Sequence, residues 1–325
     1  MVRAYLFDQR QGKEVEAWAE SFRDLSKNEV LWLDLSNPSE DEECQVREAL
    51  GLVDAGGSSL ADLERKPGLE QQEGYLRVTA VAVSDEESDA EHERVVVQCF
   101  VGPDWVLTAH NAEVGVLEDF REIASGEGEL GVLDAPSFLS ALMEWVVTSY
   151  LRAFEAIEET LEEFDVNALA SPSKNPEERI EMLIDARRRV GRLRRALAPH
   201  REVFAGLSHS EFDPISSEKS AERFAELTAS VDTALAAARD AKEGIASSFD
   251  VLIVRTEHRT NEIVKVLTLA SILLLPGSLI AGVAGMNVNL ALHVFVQSAL
   301  FWGVVAGIIL VALGTLGVAR IRRWI

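Results

Sequence analysis

Asn261, Val264, Thr268, Ser271, Leu275, Ser278, Gly282 and Gly285 follow one another in steps of three and four. That spacing brings side chains onto one face of an α-helix. A face of hydroxyls, an amide and small residues has two uses: it lets membrane helices pack closely, or it lines a path for ions. The stripe alone leaves both open. Carried toward the N-terminus, the same register reaches Glu257, Asp250, Glu243 and Asp240, a cation funnel in which a ring of carboxylates concentrates positive ions. A solvated helix face accounts for any one of these acids. Their shared register with the stripe points to cation handling.

The elements that must position this face are legible around it. Val266–Ala284 contains no charged residue and is long enough to cross a hydrocarbon core of roughly 30 Å. Residues 294–318 form a second uncharged stretch, slightly longer, which can tilt. The spacing therefore predicts a transmembrane hairpin over 266–325, with first span 266–284, second span 294–318 and a basic tail. Arg255, Arg259 and Lys265 precede the first span, Arg320, Arg322 and Arg323 follow the second, and the loop between them has neither Lys nor Arg. By the positive-inside rule both termini face the cytoplasm of a multi-pass protein of the inner or plasma membrane. Two helices cannot enclose a wet path, so conduction requires several copies around an axis.

Ahead of the spans, residues 215–265 read as a stalk helix that starts in water after Pro214, capped by Ser216 or Ser217. With no proline before Pro276, it runs for about sixty residues, near 90 Å at 1.5 Å per residue. Residues 135–212 read as an antiparallel helical hairpin, about Ser137–Val166 and Pro176 to about Ala205, turning at 171–176. Residues 1–130 read as an α/β cytoplasmic domain. Its expected strands are Arg3–Phe7, Val30–Leu35, Tyr75–Val83, Val95–Val101 and Trp105–Ala109, and its expected helices are Pro38–Leu50 and Glu113–Ala124. The fold class is therefore α+β: an N-terminal α/β domain, a helical hairpin, a very long stalk helix and a two-helix membrane hairpin.

Composition agrees. Of 325 residues 47% are hydrophobic, enough for a core, and 54 acids against 31 bases give a net charge of −23. This balance repels nucleic acid and attracts cations. Two cysteines, Cys44 and Cys99, are too few and too scattered for a disulfide framework. No phosphate-cradling loop, nucleophile elbow or zinc pattern appears, and no nucleophile–base–oxyanion constellation, so an enzyme is not expected.

Gly285-Met286-Asn287 closes the first span just before a short loop and the last span. With Thr260–Thr268 and Pro276…Ile280-Ala281-Gly282, it resembles the signature of the CorA-type divalent-cation (magnesium/cobalt) transporters, the two-span Gly-x-Asn (GMN motif) family. The likeness covers the whole layout and is strongest over 250–290. It implies a homopentamer in which the first spans line the pore, with Gly285, Met286 and Asn287 as the outer selectivity ring. Leu267 and Leu275 match a hydrophobic gate, and Asn261 matches an inner polar ring. A ring of amide oxygens suits Mg2+, which sheds its water reluctantly. The resemblance further implies passive influx of Mg2+, with Co2+ or Ni2+ also carried, gated when intracellular Mg2+ bridges carboxylates. Asp250 matches the stalk aspartate of that sensor, and Asp85 or Asp89 is its candidate partner.

One departure stands out. Relatives carry an acidic residue, often in a Met-Pro-Glu run, beyond the signature, whereas this loop reads Val288-Asn289-Leu290-Ala291-Leu292-His293. His293 would suit a softer ion such as Zn2+, so a zinc transporter of the same family, perhaps coupled to protons, is an alternative. A membrane-anchored scaffold or sensor that conducts nothing is another, and it predicts a stripe used only for packing.

Overall fold

The structure is a computed structural model that describes residues 2–7, 12–16, 25, 29–52, 60, 66–84, 94–110, 114, 117, 121, 134–170, 176–212, 215–285 and 294–321. Its contacts divide the chain into two units, 1–249 and 250–325.

The first unit is built on a seven-stranded mixed sheet in the order β2-β1-β3-β7-β6-β5-β4. The strands are β1 (Val2–Phe7), β2 (Gly12–Glu14), β3 (Val30–Ser36), β4 (Gly68–Gln72), β5 (Tyr75–Val83), β6 (Arg94–Val101) and β7 (Trp105–His110). The runs Val-Leu-Trp-Leu-Asp-Leu and Val-Thr-Ala-Val-Ala-Val are rich in branched and aromatic residues, which fit a pleated surface covered on both faces. β3 lies beside the central strand β7, antiparallel to β1 and parallel to β7, with Asp34 opposite Thr108. One face of β3 sends Leu31, Leu33 and Leu35 into a core closed by Val46, Leu50 and Leu52. Those residues belong to or follow helix α1 (Glu40–Leu50). Ser39 caps α1 by accepting from the Glu42 amide, Glu42 reaches back to the Ser39 amide, and Gly51 ends the helix at φ 67°. This is a capping box at one end and a left-handed glycine at the other. On the opposite face Trp32 stacks on Tyr5 at 5.1 Å and meets Phe138 of helix α2 (Ala135–Ala170) at 5.1 Å. The bulk of these rings seats α2 on the sheet.

Helix α2 spans Ala135–Ala170, α3 Pro176–Leu197, α4 His200–Ser208 and α5 Glu218–Gly285. The expected second hairpin helix is thus two helices. Pro199 interrupts it, because a proline has no amide to donate and its ring crowds the preceding turn. Ser217, one of the two expected caps, accepts from the Ser220 amide at 3.2 Å and opens α5. The Arg179 guanidinium of α3 donates to the Asn167 carbonyl of α2 at 3.3 Å, the cross-link of an antiparallel pair. α5 instead runs parallel to α2. Arg223 donates to the Ser137 hydroxyl near the start of both helices. Further along, a Cβ at Gly244 would lie 3.4 Å from a Leu161 methyl.

β5 outruns β4, whose pairing stops at Thr79 opposite Gly68. The backbone beyond this point is completed by helix side chains, because buried amides and carbonyls must find partners. Val81 donates to His200 Nε2 at 3.1 Å, Val83 donates to Ser149 Oγ at 3.1 Å, and Tyr150 donates to the Val81 carbonyl at 2.9 Å. Residues of α2 and α4 thus stand in for a missing strand.

In the second unit α5 continues through Pro276 to Gly285, and α6 spans Val294–Ile321. Among the described residues one helix, α5, is long and apolar enough to cross a bilayer, and none of its most apolar window is buried. A shorter apolar stretch, Val305–Gly314, lies within α6.

Candidate ion path along the long helix

The stripe residues all belong to α5, and their disposition around it follows from the contact with α6. A Cβ at Gly277 would sit 3.6 Å from Ile308 Cγ2, so Gly277 marks the side on which α6 packs. At 100° per residue, Gly277 lies about 140° around the helix from the mean direction of the stripe. The stripe is on the far side from α6. Leu267 and Leu275, at 65% and 67% exposure, stay uncovered in the single chain, as do Asn261, Val264, Ser278 and Gly282. Thr268 and Ser271 are half-buried.

The hydroxyls have a defined polarity. Thr268 Oγ1 donates to the Val264 carbonyl at 2.7 Å and Ser271 Oγ donates to the Leu267 carbonyl at 2.9 Å. Each hydroxyl has one hydrogen, so both oxygens are left with lone pairs and no proton to offer. Water bound to a small divalent cation is itself a strong donor, and acceptor oxygens are the groups that can receive it. A helix wall of this kind matches a hydrated cation better than an anion.

Pro276 removes one amide from the helix, which frees the Ile272 carbonyl from its usual partner. Such breaks are tolerated in spanning helices where neighbouring groups can satisfy the carbonyl.

The acids fall on both sides of the unit boundary. In the first unit Asp240 and Glu243 are exposed, while Ala238, Ala241 and Ile245 on the same helix are buried. In the second unit Asp250 and Glu257 are exposed. Among the described residues no cluster of three or more His, Cys, Asp or Glu groups forms a ready-made metal site. Met286 and Asn287 of the expected outer ring, Asp85 and Asp89 of the expected sensor, and His293 lie outside the described residues.

Sequence reasoning did not single out the buried polar groups of the sheet. Asp34, 1% exposed, accepts from Thr108 Oγ1 at 2.6 Å and from Arg121 at 3.2 Å, with His110 Nε2 at 3.2 Å. His200 is wholly buried, and burial pushes its imidazole down to about 4 against the smaller opposing pull of the Leu197 and Ala196 carbonyls. It therefore stays neutral, with Nε2 free to accept from Val81 and Nδ1 beside the Leu197 carbonyl at 3.1 Å.

A mixed sheet carrying a helical hairpin is thus followed by one long helix with a polar stripe that enters an apolar segment. The sequence matches the CorA-like Mg2+ transporter protein family over residues 27–320. The chain belongs to that family, whose members are membrane transporters and not enzymes. It is 24% identical over 271 residues to the cobalt/magnesium transport protein CorA of Thermotoga maritima, covering 82% of this chain and 75% of the relative. To the protein of the same name in Methanocaldococcus jannaschii it is 21% identical over 299 residues, covering 91% and 92%. The complete structure of the CorA magnesium transporter from Methanocaldococcus jannaschii superposes with a TM-score of 0.76 at 19% identity, covering 100% of this chain and 99% of that one.

Proposed function

We propose that the chain is one subunit of a homopentameric channel for divalent cations, with Mg2+ as its principal ion and Co2+ and Ni2+ as further substrates. The observation that carries this reading is the side on which α6 packs: Gly277 faces Ile308, and the stripe points the other way. Helices that needed Ser271 and Ser278 only to pack within the hairpin would turn them toward α6. Here α5 presents them outward, toward copies of itself, with the hydroxyl protons of Thr268 and Ser271 already engaged. Asn287 of each copy forms the outer ring, Leu267 and Leu275 the gate, and Asn261 the inner polar ring. Both termini lie in the cytoplasm. Intracellular Mg2+ bridges Asp250 to a carboxylate of the N-terminal domain, Asp85 or Asp89, and holds the path shut. When the ion leaves, the facing charges repel and the copies separate.

The test is ion flux into proteoliposomes with Mg2+, Co2+, Ni2+ and Zn2+, comparing the native protein with Asn287→Ala. Mg2+ entry that falls sharply in the variant supports the outer ring. Flux that survives the substitution intact removes it, preferential Zn2+ entry makes the protein a zinc transporter, and no flux of any ion makes it a scaffold.

A further inference from the structure

Beyond Asp185, the outward face of α3 carries charge opposite to that of α2. α2 buries Phe154, Ile157 and Leu161, and on its other side exposes Glu155, Glu159 and Glu162, with Arg152 one turn earlier. Residues three, four and seven apart share a face, so the glutamates form one column. α3 buries Leu183, Val190 and Leu197, and exposes Arg188 and Arg195 opposite, flanked by Arg187 and Arg194.

These charges are barely used within the chain. Arg188 is 3.3 Å from Asp185, but both side chains are about 70% exposed (70% and 72%), a pair that solvent screens. Among the described residues, Glu155, Glu159, Glu162, Arg187, Arg194 and Arg195 form no ion pair. The two columns also overlap in level. Arg179 bonds the Asn167 carbonyl, and nine residues further along each helix (167 − 9 and 179 + 9) places position 158 opposite position 188.

Copies of a chain with a net charge of −23 repel one another, so a ring of them needs local attraction. A cyclic ring uses one head-to-tail contact in which two different patches of the same chain meet. If the first-unit part of α5 lies along the ring axis, α2 lies along it too, because the two helices are parallel in that unit. Patches that meet around such a ring must then share a height, as these do where Arg188 stands level with Glu155–Glu162.

We propose that the arginine face of α3 docks on the glutamate face of α2 of the next copy, so that the hairpins form an outer electrostatic belt around the assembly. The proposal rests on the ring reading above, and it assigns the part of the neighbour's surface that the pore reading leaves unassigned.

The test uses full-length protein with the exposed Cys44 replaced by Ser, co-expressed as two differently tagged copies. One copy carries Glu159→Cys and the other Arg188→Cys. Oxidation should give a mixed-tag dimer well in excess of either like-tag dimer. A separate variant, Asn261→Cys, reports cross-linking at the axis. Absence of the mixed dimer while Asn261→Cys still cross-links would overturn the belt alone; loss of both would overturn the ring as well. In the second arm, Arg188→Glu with Arg195→Glu should raise the concentration at which the assembly half-dissociates by about tenfold, two exposed pairs per interface being lost and reversed. Adding Glu155→Arg and Glu159→Arg should restore it. A dissociation point unmoved by the reversal means that charge does not hold the contact, and overturns the proposal equally.

Discussion

His200 offers a prediction that can be worked through from the structure. Its Nε2 is the acceptor for the Val81 amide at the end of β5, where no strand remains to take that role. An imidazolium has no acceptor nitrogen, so protonation removes the bond and puts a charge in a wholly buried site. The folded-state value is about 4 against an ordinary 6.5. The unfolded chain therefore binds the extra proton first as pH falls, and stability drops with it. The stabilisation is fully present above pH 6.5 and is lost progressively down to pH 4. The difference of about 2.5 units corresponds to about 3 kcal/mol at its largest. Hydrogen exchange of the Val81 amide, corrected for intrinsic rate, reads this locally. Protection should fall by about two orders of magnitude between pH 7 and pH 4.5 in the native protein. In His200→Gln the amide oxygen can accept from Val81 without titrating, and the decline should flatten. Protection that is level across this range in the native protein, or that declines equally in the glutamine variant, would refute the reasoning.

Other outcomes follow from particular residues. Leu275→Ser should raise resting cation current in voltage-clamped membranes at saturating internal Mg2+, because a polar group at a hydrophobic constriction holds water there; unchanged resting current would remove Leu275 from the gate. Asp250→Ala should weaken inhibition by cytosolic Mg2+ in the same recordings, and an unshifted inhibition curve would dissolve the sensor assignment. Gly102→Ala should destabilise the β6–β7 turn by about 2 kcal/mol in thermal or denaturant unfolding, since a Cβ there would lie 2.1 Å from Trp105 Nε1 and the indole is held in a packed site.

Much of the fold was legible because its signals are local. Tyr75–Val83 reads as a strand from its branched residues, and Pro38–Leu50 reads as a helix close to the observed α1. β2 and β4 were not legible. Gly-Lys-Glu and Gly-Leu-Glu-Gln-Gln carry no apolar alternation, and only the neighbouring strands make them extended. The break between α3 and α4 was present in the sequence as Pro199, but the apolar pattern on either side runs on through it. Of the candidate ion path, the register of the stripe could be read from spacing alone, since one helix carries it. Its direction relative to α6 could not, because that depends on a contact between Gly277 and Ile308. The Asp34 network was hidden for a topological reason. Thr108 and Asp34 are 74 residues apart and meet only through the parallel pairing of β3 and β7.

The side chains that finish β5 bind two helices to one strand end, and this limits how the first unit can deform. Sliding α2 by one residue, a rise of about 1.5 Å, would carry Ser149 and Tyr150 out of reach of Val83 and Val81 and strand their backbone groups without water. Tilting α4 away would do the same to the Val81 amide. The sheet and the base of the hairpin are thus tied together, so a displacement beginning among the strands is handed on to α2.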